Sequence, residues 1–155
     1  MRKDKLARSR LDASKSGLAK ALGTIIAVLV TLHVLVMVVH YEIEDIHWLI
    51  RDLFDLDEEQ SFGTWFSTMQ LLTCGVLLLW YARALKAAGG QWVAQWKWLG
   101  LGFCFLSLDE MVGLHESVNT AIDISWAIPG GVVVILVGLL YTPFLLRLER
   151  QAARW

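Results

Sequence analysis

Four long apolar stretches, separated by polar segments, dominate the pattern along this chain. An α-helix needs about 20 mostly apolar residues to cross a bilayer, and these stretches have that length: 21–40, 62–85, 98–118 and 128–146. The first is longer than the core of a signal peptide and runs directly into His40, which predicts an uncleaved anchor. The pattern therefore predicts an all-α integral membrane protein with a four-helix bundle over residues 21–146.

The polar segment between the first two stretches has its own periodicity. Apolar residues recur at helical spacing within residues 41–57, with acidic residues between them: Ile43, Ile46, Ile50, Leu53 and Phe54. This spacing predicts either a short amphipathic helix in the first extracytoplasmic loop or an extension of the first membrane helix.

The basic residues orient the predicted bundle. Of 14 Lys and Arg residues, seven lie in residues 1–20, three in the segment 83–97 and three in the tail 147–155, which leaves only Arg51 for the acidic loop 42–59. By the positive-inside rule, the basic side is cytoplasmic. With four spans, both termini then lie in the cytoplasm, and the predicted domains are a basic segment 1–20, the membrane domain 21–146 and a cytoplasmic tail 147–155.

Composition supports membrane insertion and limits the partners. The chain is 56% hydrophobic and 19% charged, whereas soluble domains carry about 25% charged residues. The basic N-terminal segment is explained as a topology signal that touches anionic lipid, so we expect no nucleic-acid binding. The expected partners are the lipid bilayer and either other membrane proteins or further copies of the chain.

The third apolar stretch contains four ionisable residues, Asp109, Glu110, His115 and Glu116. An aspartate at the centre of a membrane helix costs about 2.5–3.5 kcal/mol on the insertion scale. Such residues usually face the bundle interior, where they are paired, hydrated or functional. We therefore predict a polar site in the outer half of the bundle.

A helical projection of this stretch separates its polar side chains. If the helix is continuous, Asp109 and Glu116 lie within about 20° of each other, on a face shared with Gly102 and Gly113. Small residues on such a face let a neighbouring helix approach closely. Glu110 and His115 point away from this face.

The first stretch supplies histidines at a matching depth. His33, His40 and His47 are seven residues apart, with Glu44 between the last two, and they share one face if the helix continues past His40. The one Lys or Arg within the predicted spans is Arg83, near the cytoplasmic end of the second, so histidine is the expected partner of the carboxylates in the outer half. The predicted polar site comprises Asp109, Glu110, His115, Glu116, His33 and His40, and the candidate metal ligands are His40, Glu44, Asp109 and Glu116.

Several functions remain open for this site. Histidine and carboxylate ligands suit a divalent metal such as Zn, Fe or Mn, and the same groups handle protons. A b-type haem protein with His40 and His115 as axial ligands is an alternative, as is a non-catalytic accessory or structural subunit of a membrane complex whose polar groups only fix helix packing. The chain has no HExxH spacing, and its one ExxH, Glu44 to His47, lies in the acidic loop outside the predicted spans, which favours a protein that is not an enzyme.

Two short segments resemble a known group of proteins. Thr64-Trp65-Phe66-Ser67 opens the second stretch, and Ser107-Leu108-Asp109-Glu110 followed by His115-Glu116 lies in the third. Together they resemble an uncharacterised family of bacterial multi-pass inner-membrane proteins over roughly residues 50–120, except that Gly63 replaces the usual proline before Thr64. The resemblance implies a location in the bacterial inner membrane and no particular activity.

Overall fold

The computed structural model describes residues 2–115, 117 and 125–152, and the side chains of those that fall within 14–148. This part of the chain holds five helices and no strand: α1 (Arg2–Glu42), α2 (Trp48–Phe54), α3 (Phe62–Ala87), α4 (Val93–Val112) and α5 (Ala127–Ala152). The prediction of an all-α protein is confirmed. The chain divides into two compact units, Met1–Thr64 and Trp65–Trp155.

Three helices are long and apolar enough to cross a membrane. They are Ser14–Glu42 within α1, with a mean hydropathy of 2.7, Phe62–Ala87, with 1.4, and Ala127–Leu148 within α5, with 2.1. The helix α4 does not reach this level, because its 20 residues include Lys97, Asp109 and Glu110. The structure thus supports three of the four predicted spans.

Among the described residues, large apolar side chains lie on the surface and small or polar ones are buried, which is the opposite of a soluble protein. Large apolar residues lie on the surface, for example Val134 at 71% and Leu140 at 76% exposure. Most of the buried residues are small or polar, and Phe144 is the only large apolar one among those described: Ser61, Thr68, Gly75, Ala82, Gly100, Ser107, Asp109, Gly113 and Phe144. Membrane helices pack in this way, since lipid covers their apolar faces and small residues bring their backbones together.

In the first unit, α1 is longer than predicted and α2 is a separate helix. The helix α1 continues from the basic N-terminal segment without a break and ends at Glu42. The chain then turns, so Glu44 and His47 do not extend the α1 face as predicted for a continuous helix. Instead, His47 is the N-cap of α2, and its Nδ1 accepts a hydrogen bond from Leu49 N–H at 3.3 Å. The predicted short helix of the loop is therefore seven residues long.

The start of α3 follows the sequence prediction closely. Ser61 is buried, and its hydroxyl accepts the Thr64 N–H at 3.2 Å, which is the bond expected of a helix N-cap. Gly63 lies under the Leu56 side chain, where a Cβ atom would approach Leu56 Cδ2 to 2.5 Å. The glycine at this position therefore lets the residues before α3 pack against its first turn.

In the second unit, α3 and α4 cross in close contact at two glycines. A Cβ atom on Gly75 would lie 2.5 Å from Cys104 Sγ and 3.0 Å from the Gly100 carbonyl oxygen. A Cβ atom on Gly100 would lie 3.0 Å from the Gly75 carbonyl oxygen. By contrast, a Cβ atom on Gly102 would meet nothing within 4 Å. The prediction that Gly102 marks the close approach of a neighbouring helix was wrong. The glycine that meets α3 is Gly100, which lies on the other side of α4, about 160° from Gly102 around the helix.

An aromatic cluster joins α3, α4 and α5. Phe144 of α5 is 2% exposed, and its ring centroid lies 5.1 Å from that of Trp96, 5.8 Å from that of Trp92 and 5.9 Å from that of Tyr141. Tyr81 of α3 meets Trp96 at 5.1 Å. These edge-to-face and tilted contacts are the arrangements that aromatic rings prefer, and they fix α5 against the start of α4.

The helix α4 begins and ends at residues in the left-handed conformation. Trp92 precedes it with φ 66°, the only positive φ of a non-glycine residue in the described part of the chain. Arg147 lies over the Trp92 ring at 5.3 Å, a cation–π contact that helps hold this residue. At the other end, Gly113 has φ 64° and its N–H binds the Asp109 carbonyl oxygen at 2.8 Å. The helix therefore stops at Val112, and the prediction of one helix over 98–118 was wrong.

Candidate functional site

The end of α4 brings Asp109 and His115 together. Glycine adopts a positive φ without steric cost, so at Gly113 the chain leaves the helix axis and folds back. The His115 N–H then donates to Asp109 Oδ1 at 3.1 Å, and His115 Nδ1 lies 3.2 Å from Asp109 Oδ2. Both carboxylate oxygens of Asp109 thus contact the same residue.

This contact corrects the helical projection. A continuous helix would have placed His115 about 120° from Asp109, but the turn at Gly113 places its ring against the carboxylate. Asp109 is buried, as predicted, while the His115 side chain is 29% exposed. The two residues therefore form a couple, which we call the Asp109–His115 couple.

The geometry of the couple determines which nitrogen carries the ring proton. An ionised carboxylate only accepts hydrogen bonds, so Nδ1 donates to Asp109 when it carries the proton. In that tautomer, Nε2 of the neutral ring is the acceptor. A carboxylate that orients a histidine in this way is found beside metal-ligating histidines and histidines that accept protons. The couple can therefore hold a proton or prepare His115 as a ligand.

Glu110 points toward α3, away from the couple. Ser67 Oγ donates to Glu110 Oε1 at 2.8 Å, and Ser107 Oγ donates to the Thr68 carbonyl oxygen at 2.9 Å. Ser107 and Glu110 are three residues apart and share one face of α4. The polar side chains of α4 thus serve two purposes, because these two join the helices while Asp109 binds His115.

The partners that α3 supplies were not predicted from the sequence. Ser67 lies in the segment that carries the resemblance, and no pairing of Ser67 with Glu110 was predicted. The available signal was the order of small and polar residues along α3, where Ser67, Thr68 and Gly75 lie on or near one face. The Thr68 hydroxyl is buried, and it has no hydrogen-bond partner among the residues that the structure describes.

The predicted histidines of α1 contact the loop of their own unit. His40 Nδ1 lies 3.0 Å from Asp45 Oδ1 and 3.3 Å from the Ile46 nitrogen. His33 Nδ1 accepts the Leu56 N–H at 3.2 Å and lies 3.6 Å from Asp55 Oδ1. These contacts involve loop residues that the sequence analysis did not connect with either histidine.

The remaining predicted site residues are Glu44 and Glu116. Glu44 is exposed in the turn after α1, and Glu116 lies outside the described residues. Within the described part of the chain, no group of three or more His, Cys, Asp or Glu residues is arranged to hold a metal ion. The assembly of His33 and His40 with Asp109 and Glu116 stays a prediction.

Comparison with known proteins places the chain in a family. Neither a curated protein nor a solved structure matches it. A family profile described as Domain of unknown function (DUF8692) matches residues 21–155, which include all four apolar stretches and every predicted site residue. The chain therefore belongs to the DUF8692 family.

Proposed function

We propose that this protein is a four-span protein of the bacterial inner membrane whose Asp109–His115 couple takes up and releases a proton. The observation that carries the proposal is the double contact of a buried aspartate with a histidine at the end of α4. Ionisable residues inside a membrane protein are costly and usually functional, and imidazole changes its charge within the physiological pH range.

The fourth span of this proposal is α4. Its 20 residues correspond to about 30 Å, the thickness of a bilayer's hydrocarbon core. Its close crossing with α3 and the bond between Ser67 and Glu110 lower the cost of its polar residues, since a carboxylate with a partner is less unfavourable in lipid than a bare one. The tryptophans at its start suit a membrane interface.

The proposal is tested by measuring proton binding at the couple. Purified protein in lipid nanodiscs is moved from about pH 8 to about pH 5, the range in which imidazole titrates, and proton uptake is followed with a pH dye. Asp109→Asn should take up less than the wild-type chain, because the coupled carboxylate is gone. Glu110→Gln is the matched control from the adjacent position and should be unchanged. Equal uptake by Asp109→Asn and the wild type would refute the proposal.

Metal binding is the second candidate, because the same contact orients a ligating histidine. The further ligands predicted from the sequence are His40, Glu44 and Glu116. The alternative predicted from the sequence is a haem with His40 and His115 as its axial ligands. Metal analysis and an absorbance spectrum of the purified protein separate these cases. Bound metal that Asp109→Asn loses would favour a metal centre, and a haem absorbance band that His115→Ala loses would favour the haem protein. If the purified protein contains neither metal nor haem, the proton-handling role or a structural role in a membrane complex remains.

A further inference from the structure

His33 connects the middle of α1 to the segment before α3. Residues 55–61, which we call the linker, join α2 to α3. The Leu56 N–H of this linker donates to His33 Nδ1 at 3.2 Å. His33 lies nine residues before the end of α1, or about 14 Å along the helix axis. The linker therefore folds back along α1 instead of leaving from its end.

The His33 ring has two competing partners at one nitrogen. To accept the Leu56 N–H, Nδ1 must be unprotonated, so the ring proton lies on Nε2. Asp55 Oδ1 lies 3.6 Å from the same Nδ1, just beyond hydrogen-bond distance, and already accepts the Asp57 N–H at 3.0 Å. Only one of the two partners can bond to Nδ1 at a time, and the ring's protonation state decides which.

We propose that His33 is a proton-sensitive latch, in which the neutral ring holds Leu56 and the protonated ring releases it and binds Asp55 instead. A proton on Nδ1 would point at the Leu56 N–H, and two donors repel. The same proton gives His33 a charge-assisted bond to the Asp55 carboxylate, which has acceptor sites for it beside the Asp57 N–H. The linker changes its register against α1 as a result.

The charges around the latch favour this exchange. Asp55 faces His33, and the rest of the linker adds Asp57, Glu58 and Glu59. The one cation of the loop, Arg51, donates to Asp52 at 3.0 Å, and this bond raises the pKa of the guanidinium. Arg51 therefore stays charged, so the change of charge in the latch comes from His33.

Movement of Leu56 would reach the start of α3. The Leu56 side chain packs on Gly63, one residue into α3, and the ring of Phe62 lies 5.3 Å from that of Phe54 in α2. Releasing Leu56 therefore loosens the contacts of the linker and α2 with Phe62 and Gly63, the first residues of α3. The residues of the latch all belong to the first unit, whereas Asp109 and His115 belong to the second.

Amide hydrogen exchange tests the latch in the full-length protein in nanodiscs. The Leu56 amide should lose about two- to tenfold in protection between about pH 7.5 and about pH 5, after correction for intrinsic exchange, because one ordinary hydrogen bond is lost. The Thr64 amide is the internal reference, since its Ser61 hydroxyl acceptor does not titrate. In His33→Gln, whose side chain still accepts a hydrogen bond, Leu56 protection should not change with pH.

A Leu56 protection that is flat with pH in the wild type, or that falls equally in His33→Gln, would overturn the latch. If His33→Gln does not fold, ¹⁵N spectra of the wild-type histidine rings decide the matter. The latch requires that neutral His33 carry its proton on Nε2, and a proton on Nδ1 would refute it.

Discussion

At the residue scale, His115 and His33 use the same ring atom in opposite ways. Nδ1 of His115 faces a buried carboxylate, whereas Nδ1 of His33 faces a backbone N–H with a carboxylate further away. The first arrangement favours a ring proton on Nδ1 and the second favours one on Nε2. Identical side chains in one protein are thus set in different tautomers by their partners alone.

Loss of the His115 ring should destabilise the second unit. In His115→Ala, the buried Asp109 carboxylate keeps the backbone N–H and loses the ring, and a buried polar group left partly unpaired costs about 1–3 kcal/mol. The free energy of unfolding in detergent micelles measures the effect. Glu110→Gln is the control, because glutamine still accepts the Ser67 hydroxyl, and it should lie near the wild type. Equal stability of His115→Ala and the wild type would show that the couple does not contribute to folding.

At the element scale, the crossing of α3 and α4 depends on two glycines rather than on the apolar surface of either helix. Lipid is as apolar as a leucine side chain, so close packing and interhelical hydrogen bonds hold membrane helices together. The crossing at Gly75 and Gly100 lies between the Ser67–Glu110 bond on one side and the contact of Tyr81 with Trp96 on the other. The register of the two helices is thereby fixed along much of their length.

A methyl group at the crossing should force the helices apart. Gly75→Ala places a Cβ atom against backbone atoms of α4, and such overpacking costs about 1–3 kcal/mol. Gly102→Ala is the matched control from the open face of α4. It should be neutral or up to about 1 kcal/mol more stable, since alanine favours a helix over glycine. Thermal unfolding of the two variants compares them directly, and a destabilised Gly102→Ala with an unchanged Gly75→Ala would contradict the observed crossing.

The aromatic cluster makes a separate prediction for α5. Phe144→Ala leaves a cavity among three rings and should lower the free energy of unfolding by about 3 kcal/mol, the lower end of the range for soluble cores. The lower end is expected because moving an apolar side chain from lipid into the protein gains no hydrophobic free energy. Leu140→Ala, at a position 76% exposed, should change the unfolding free energy little. Chemical unfolding of both variants in micelles measures the difference, and equal losses would mean that Phe144 does not anchor α5.

At the scale of the whole molecule, an odd or an even number of spans decides on which side of the membrane the C-terminus lies. Three spans would place the termini on opposite sides of the membrane, whereas four return the C-terminus to the side of the N-terminus. Among the described residues, three helices qualify by hydropathy, and α4, with Lys97, Asp109 and Glu110, does not. Thirteen of the 14 basic residues lie in segments that four crossings would place on one side, which is the distribution that the positive-inside rule predicts.

Reporter fusions test whether the number of spans is odd or even. With four spans, fusions at residue 1 and after residue 155 should both report the cytoplasm, and a fusion inserted at residue 57 should report the opposite side, as expected from the charge distribution. A C-terminal fusion active only outside the cytoplasm would show that α4 does not cross. The insertion at 57 is the control, since its location is the same with three spans or four.

The sequence by itself determined which segments are helical and that α3 begins at residue 62. Apolar runs of membrane length predicted α1, α3 and α5, because such a run depends only on neighbours along the chain. It also placed Asp109 in the interior, since a lipid-facing carboxylate is too costly.

Only the tertiary structure decided which partners the polar residues use. A glycine adopts a positive φ about as readily as a negative one, and α4 contains a glycine that continues the helix, so periodicity could not show that Gly113 stops α4 and returns His115 to Asp109. Nor could it show that Gly100 rather than Gly102 meets α3, or that the linker folds back to His33. The contact of His33 with Leu56 joins residues 23 positions apart, and the choice of such partners depends on the packing of whole helices, which no local pattern encodes.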